Sequence, residues 1–149
     1  MRVLGLDVGE RRIGVAVSDE NLMLARPLLV IQRRSRQDDF ARLAAIIGEW
    51  QVERVVVGLP LTIEGEIGPQ ARRVKRYARE LGRALNVPVE LVDESYSTVD
   101  AANIMRTIGH SRQKRRDTVD AVAAAVILQS YLDRGSPSAV SYEVLNGKN

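Results

Sequence analysis

The run Val3-Leu4-Gly5-Leu6 ends in an acid, Asp7, and the glycines Gly9 and Gly14 separate it from a second apolar run, Val15 to Val17. An almost unbroken apolar stretch is the pattern of a strand covered on both faces, so this chain must build a sheet with layers packed against it. Asp7 then emerges where the sheet edge meets solvent. Gly9 and Gly14 let the chain reverse tightly and let a phosphate or a metal approach the backbone. Asp and Gly are also ordinary turn residues, so Asp7 and Gly9 taken alone are equally consistent with a plain hairpin.

Further along, Val15 to Ser18 reads as a second strand paired back on the first, and Met23 to Ile31 as a third beyond the Ser18-Asp19-Glu20-Asn21 turn. From Arg36 the period changes, with Phe40, Leu43, Ala44, Ile47 and Trp50 on one helical face. Val55-Val56-Val57-Gly58 is a short apolar strand, and Pro60, Gly65, Gly68 and Pro69 mark a loop after it. A second helix from about Gln70 puts Val74, Ala78, Leu81 and Leu85 on one stripe and Arg72, Arg76, Arg79 and Arg83 on another. That basic stripe reads as a solvated face ahead of a phosphate-binding one.

Val87 to Val92 reads as a strand ending at Asp93-Glu94, and the capping box Ser97-Thr98-Val99-Asp100 starts a helix through Ile104 and Ile108. Arg112-Gln113-Lys114-Arg115-Arg116 follows as a loop, and Asp117-Thr118-Val119-Asp120 opens a final helix to about Leu132. Strands alternating with helices after an antiparallel meander describe an α/β fold, a mixed five-stranded sheet flanked by helices. At 149 residues the chain is expected to be one domain, residues 1–134, with 135–149 a flexible C-terminal tail.

Cysteine is absent and histidine occurs once, at His110, which excludes thiolate zinc sites, cysteine nucleophiles and histidine clusters. Any metal must therefore be held by carboxylates. The net charge of +3 accompanies clustered arginines and a pI of about 9.6. That balance suits a polyanion such as nucleic acid better than a membrane surface. Met1-Arg2 leads directly into the first strand, and no apolar run approaches the ~20 residues needed to span a bilayer. The expected location is the cytoplasm, with no membrane partner.

The final helix is apolar from Val119 to Leu128 except for Asp120, and a carboxylate there needs a cation or hydrogen-bond donors. Asp117 lies one turn earlier on the same helix face, and a divalent metal would relieve the repulsion between the two. A structural account competes, with Asp117 as N-cap and Asp120 at the third helical position favoured by the helix dipole. Glu94 ends another apolar strand and can meet Asp7 at a common sheet edge, while strand alternation turns Asp93 the other way. Carboxylates without histidine or cysteine favour magnesium or manganese. Two such ions roughly 3.5 to 4 Å apart can activate water and stabilise both oxygens of a phosphodiester displacement. Arg112, Lys114, Arg115 and Arg116 lie beside the helix acids and Arg11 and Arg12 nearer still, so these are the candidate cations for a nucleic-acid backbone.

Asp7-Val8-Gly9, Arg12-Ile13-Gly14-Val15-Ala16-Val17-Ser18-Asp19, Val57-Gly58-Leu59-Pro60, Asp93-Glu94, Ser97-Thr98 and Asp120-Ala121-Val122-Ala123-Ala124 together resemble the YqgF/RuvX family of Holliday-junction-resolvase-like proteins. After the Asp-Glu pair, where the family often has arginine and a leucine-like residue, this chain has Ser95-Tyr96. The resemblance implies a ribonuclease H-like fold and a metal-dependent nuclease. It matches Asp7, Glu94 and Asp120 to the family's acidic positions, with Asp117 similar to the paired helix aspartates of related resolvases. It also implies work on the 5′ end of precursor 16S rRNA, in ribosome biogenesis, or on branched DNA such as a Holliday junction. A junction resolvase would need a homodimer with two-fold symmetry to cut symmetrically placed strands. Two other classes stay open: an RNA-binding assembly factor that keeps the fold without catalysis, and an actin-like ATPase, which would need a second lobe that this length does not readily supply.

Overall fold

The computed structural model describes residues 1–61, 64–93, 112–134 and 141–145, with the backbone alone for 112–118 and 141–145. Its elements are β1 (Arg2–Val8), β2 (Arg12–Ser18), β3 (Ala25–Gln32), α1 (Arg36–Trp50), β4 (Val52–Leu59), α2 (Pro69–Leu85), β5 (Val89–Asp93), α3 (Arg112–Arg134) and β6 (Ser141–Leu145). The strand order is β3-β2-β1-β4-β5-β6. β1, β2 and β3 form the expected antiparallel meander, and β1, β4 and β5 run parallel. β6 pairs antiparallel with β5, so the segment read as a free tail contributes a sixth strand. The helix expected from Ser97 to Ile108 lies outside the described residues.

Side-chain alternation along the strands sorts the core into two layers. Leu4, Leu6, Val8, Ile13, Val15 and Val17 face the side covered by α1 and α2, where they meet Leu43, Val74, Tyr77 and Leu81. Val3, Ala16, Val56 and Val92 face α3 and meet Ala124, Ile127, Leu128 and Tyr131. Both faces of the central strands are thus buried, which is why β1 reads as a continuous apolar run instead of an alternating one. Each fully buried leucine or valine contributes roughly 1.5–3 kcal/mol. No described helix is long and apolar enough to cross a membrane.

Helix α1 starts where Ser35 accepts a hydrogen bond from the backbone N–H of Asp38 at 3.0 Å, and it ends at Gln51 in the left-handed conformation. α2 opens with Pro69 at its first turn, where the missing N–H is no loss, and closes on left-handed Asn86. The buried face of α1 departs from the apolar stripe: Ala44 is exposed, while Asp39 is fully buried beside Leu43 and Ile46. Asp39 tolerates burial because Arg33 Nε donates to its Oδ2 at 2.9 Å and the Tyr77 hydroxyl donates to the same oxygen at 3.1 Å. Burial, and then the Asp39 charge, push the Tyr77 phenol well above its usual pKa. Asp39→Asn keeps the volume and removes the charge that holds Arg33, so it should destabilise the fold by about 2 kcal/mol in urea denaturation. An unchanged midpoint would show that the ion pair contributes nothing net.

Candidate active site

Because β1, β4 and β5 are parallel, their carboxyl ends meet at one edge, and open α/β sheets bind ligands at that edge. Asp7 lies there, partly exposed, one residue before the end of β1. It alternates with Val3 and Gly5, so it stands on the α3 side of the sheet, as Gly5 does beneath Ala124 and Leu128.

Across the hairpin Asp7 is paired with Gly14. A Cβ on Gly14 would lie 1.8 Å from the Asp120 carbonyl oxygen and 3.0 Å from the Ala121 nitrogen, so the backbone of α3 rests directly on this strand. Gly9 and Gly14, both expected to serve the turn, have different roles. The turn belongs to Gly9, whose N–H donates to the Arg12 carbonyl at 2.8 Å, whereas Gly14 lies inside β2 and admits the helix. This close approach delivers Asp120 to the neighbourhood of Asp7 from a position 113 residues away in the chain.

Asp120 also acquires a cation. Arg12, on the same face of β2 as Gly14, donates through Nε to Asp120 Oδ2 at 2.7 Å, with side chains 34% and 25% exposed respectively. The compensation that the sequence argument required for a carboxylate on an apolar helix is therefore supplied in part by arginine. Arg12 is not simply a phosphate-facing cation, because it also fixes the helix acid; Arg11 sits exposed in the adjoining turn. No sequence signal pairs residues 108 apart, so this role of Arg12 was not legible.

Two expectations for the last helix need correction. α3 begins at Arg112, so Arg112, Lys114, Arg115 and Arg116 lie in helical backbone and not in a loop. Arginine, lysine and glutamine are good helix formers, and nothing in that segment stops the helix short of them. For the same reason Asp117 is an interior helical residue and not an N-cap, and Asp120 lies beyond the first turn. Asp117 retains its place one turn before Asp120, on the same helix face. Its side chain, and all of Glu94, lie outside the described residues. Glu94 directly follows β5, whose last residue, Asp93, alternates to the α1 and α2 side.

Among the described residues no three acids or histidines group closely enough to hold a metal. The described fold docks the α3 backbone at Asp120 on Gly14, the β2 partner of Asp7, and hard oxygen donors such as these two carboxylates fit a divalent magnesium or manganese ion.

Comparison with known proteins bears on the family and the fold. The RuvX family, described as Holliday junction resolvase, matches residues 1–134. A protein of Anaeromyxobacter sp. (strain Fw109-5), provisionally named pre-16S rRNA nuclease, is 51% identical over 133 residues, covering 89% of this chain and 97% of its own. A protein of Chloroflexus aggregans with the same provisional name is 47% identical over 131 residues, covering 88% of this chain and 92% of its own. Among solved structures, Thermus thermophilus RuvC in complex with a Holliday junction superposes with a TM-score of 0.59 at 19% identity, covering 91% of this chain and 97% of that one. The Fowlpox virus Holliday junction resolvase superposes with a TM-score of 0.56 at 11% identity, covering 91% of this chain and 100% of that one. At such identities these two matches speak to the fold, which is the ribonuclease H-like fold of the resolvases. From the extent of the family match and the identity of its relatives, this chain belongs to the RuvX family of Holliday-junction-resolvase-like nucleases.

Proposed function

We propose that this protein is a divalent-metal-dependent nuclease that hydrolyses a phosphodiester bond near the 5′ end of precursor 16S rRNA in the cytoplasm. The observation that carries the reading is the docking of the Asp120 backbone on Gly14, the strand partner of Asp7, at the carboxyl edge of the sheet. Asp7 and Asp120, joined by Glu94 and Asp117, would hold magnesium or manganese, two ions in all. Such ions, when bound, supply a nucleophilic water at neutral pH and neutralise charge on the reacting phosphate. Asp7 stands near the end of strand β1, and Asp120 is held by the Arg12 guanidinium. Arg11 and Arg12, with Arg112, Lys114, Arg115 and Arg116, are the cations we assign to the strand's other phosphates.

The family description supports a second substrate, branched DNA cut by a two-fold dimer. The two are separated by assaying precursor 16S rRNA and a four-way DNA junction side by side with magnesium, manganese and chelator. Metal-dependent cleavage of the RNA alone supports the first reading, cleavage of the junction alone the second. RNA binding without cleavage of either would identify an assembly factor.

Arg12 offers a sharper local test. Arg12→Ala leaves Asp120 without the group that orients it, and loss of such a supporting partner typically lowers metal affinity or activity about 10–100-fold. We expect a fall in that range, with Arg12→Lys recovering only part of it because lysine lacks the planar Nε geometry. Wild-type kcat/KM in Arg12→Ala would remove Arg12 from the site.

A further inference from the structure

On the opposite side of the sheet from Asp120, at the same edge, lies a cleft of about 210 Å³ whose lining includes Gly9, Glu10, Arg33, Arg36, Gln70, Arg73 and Tyr77. None of its three arginines belongs to the cations assigned above to the nucleic-acid backbone. Val8 and Gly9, the two residues after Asp7, belong to its lining, so a strand held at Asp7 need only cross the Gly9 turn to reach it.

The arginines are set in place before any ligand arrives. Arg33 donates through Nε to Asp39 and through Nη1 to the Gly9 carbonyl at 2.8 Å, which uses two of its five N–H donors and braces the turn after Asp7. The guanidinium carbons of Arg33 and Arg36 lie 4.8 and 5.7 Å from the centre of the Tyr77 ring, a cation–π arrangement that restricts both forks. Arg36 also pairs with Glu80. Arg73 meets Glu10 at 3.8 Å, with side chains 57% and 85% exposed, a separation and exposure at which an ion pair is weak. The acids that balance Arg33 and Arg36 lie outside the lining: Asp39 is buried behind it, and Glu80 does not border the cleft. The cavity wall therefore presents three guanidinium groups and one loosely held carboxylate.

Fixed guanidinium forks match the two free oxygens of a phosphodiester in geometry and charge, and pre-organisation lowers the entropy lost on binding. We propose that this cleft is a phosphate-binding subsite that receives one backbone phosphate of the nucleic-acid strand as it passes over the sheet edge from Asp7. The inference rests on the nucleic-acid reading of that edge and adds a second contact surface on the α1 and α2 side. Arg33 is the structural member, and Arg36 and Arg73 are the ones that reach the phosphate. Glu10 opposes them, and it must swing away from Arg73 when the strand is seated.

The test measures binding of a fluorescent single-stranded RNA in chelator, across a salt series, so that no cleavage enters the readout. Arg73→Ala and Arg36→Ala should each weaken binding several-fold and lower the log–log salt slope by about 0.7, the value for one lost single-strand phosphate contact. Arg72→Ala, which removes an equal charge from the exposed face of α2 outside the cleft, should leave the slope unchanged. Glu10→Gln should bind more tightly than wild type. Matched thermal midpoints for all four variants establish that each is folded. Equal losses in Arg72→Ala and Arg73→Ala, or an unchanged slope in Arg36→Ala and Arg73→Ala, would overturn the proposal. So would stabilisation by inorganic phosphate that Arg73→Ala abolishes while RNA affinity stays at the wild-type value, since the cleft would then serve a free anion. A wild-type protein that cleaves neither RNA nor DNA would refute the nuclease assignment and leave this binding result standing.

Discussion

Asp7→Asn should abolish metal-dependent cleavage while leaving folding and most nucleic-acid affinity intact. The substitution keeps the size of the side chain and its place on β1 opposite Gly14, and removes only the charge. A neutral amide is a poor ligand for a hard divalent ion. Single electrostatic groups in an active site commonly contribute about a hundred- to a thousand-fold in rate, so a loss of at least that size is expected. Asp7 is partly exposed at a strand end and not buried in the core, so the thermal midpoint should move little. Its affinity for RNA in chelator should remain close to wild type, because the cations proposed to hold the backbone are other residues. Cleavage assays with magnesium and manganese decide the matter, and full activity in either metal would remove Asp7 from the catalytic set.

Gly14→Ala should be among the most destabilising single-methyl changes in the chain. The added carbon would sit 1.8 Å from the Asp120 carbonyl oxygen and 2.3 Å from its carbonyl carbon. Both are backbone atoms of α3, so no side-chain rotation relieves the clash, and either the helix lifts or β2 bends. Overpacking a close-packed interior costs roughly 1–3 kcal/mol and occasionally more, and a backbone-to-backbone collision belongs at the upper end, about 3 kcal/mol. Lifting α3 would also carry Asp120 away from Asp7, so residual folded protein should cleave poorly. Gly48→Ala is the matched control, because a methyl there meets nothing within 4 Å on the exposed side of α1. It should be neutral or stabilising by up to about 1 kcal/mol through helix propensity. Equal urea midpoints for the two variants would contradict the close approach of α3 to β2.

These two residues also show what the linear sequence discloses. Asp7 was legible because a strand buried on both faces seldom carries an unpaired charge away from its end, and the parallel order of β1, β4 and β5 brought that end to the edge where such sheets bind ligands. The place of Asp120 was legible as a lone acid on an apolar helix. Its arginine partner was not, since Arg12 and Asp120 meet only after α3 docks on β2. Gly14 carries no local mark that separates a turn glycine from one that makes room for a helix. Asp39 misled the amphipathic pattern of α1, because its burial depends on Arg33 and Tyr77 from other elements. Likewise Ser141–Leu145 is five residues long and follows a Gly-Ser-Pro-Ser run, so nothing short of its pairing with β5 marks it as a strand. The arginine cleft escaped the charge reading for the same reason: Arg33, Arg36 and Arg73 come from separate parts of the chain.

The central claim, that Asp7 and Asp120 share a divalent ion, is most directly tested by adding substoichiometric Mn2+ to the isotope-labelled protein and following amide signals by NMR. Paramagnetic broadening is sensitive even to weak, rapidly exchanging ions. The account predicts selective loss of the Val8, Gly9, Gly14 and Ala121 signals in the wild-type chain, and their persistence in Asp7→Asn and Asp120→Asn. Broadening that spares these amides, or that strikes them equally in both variants, would contradict it.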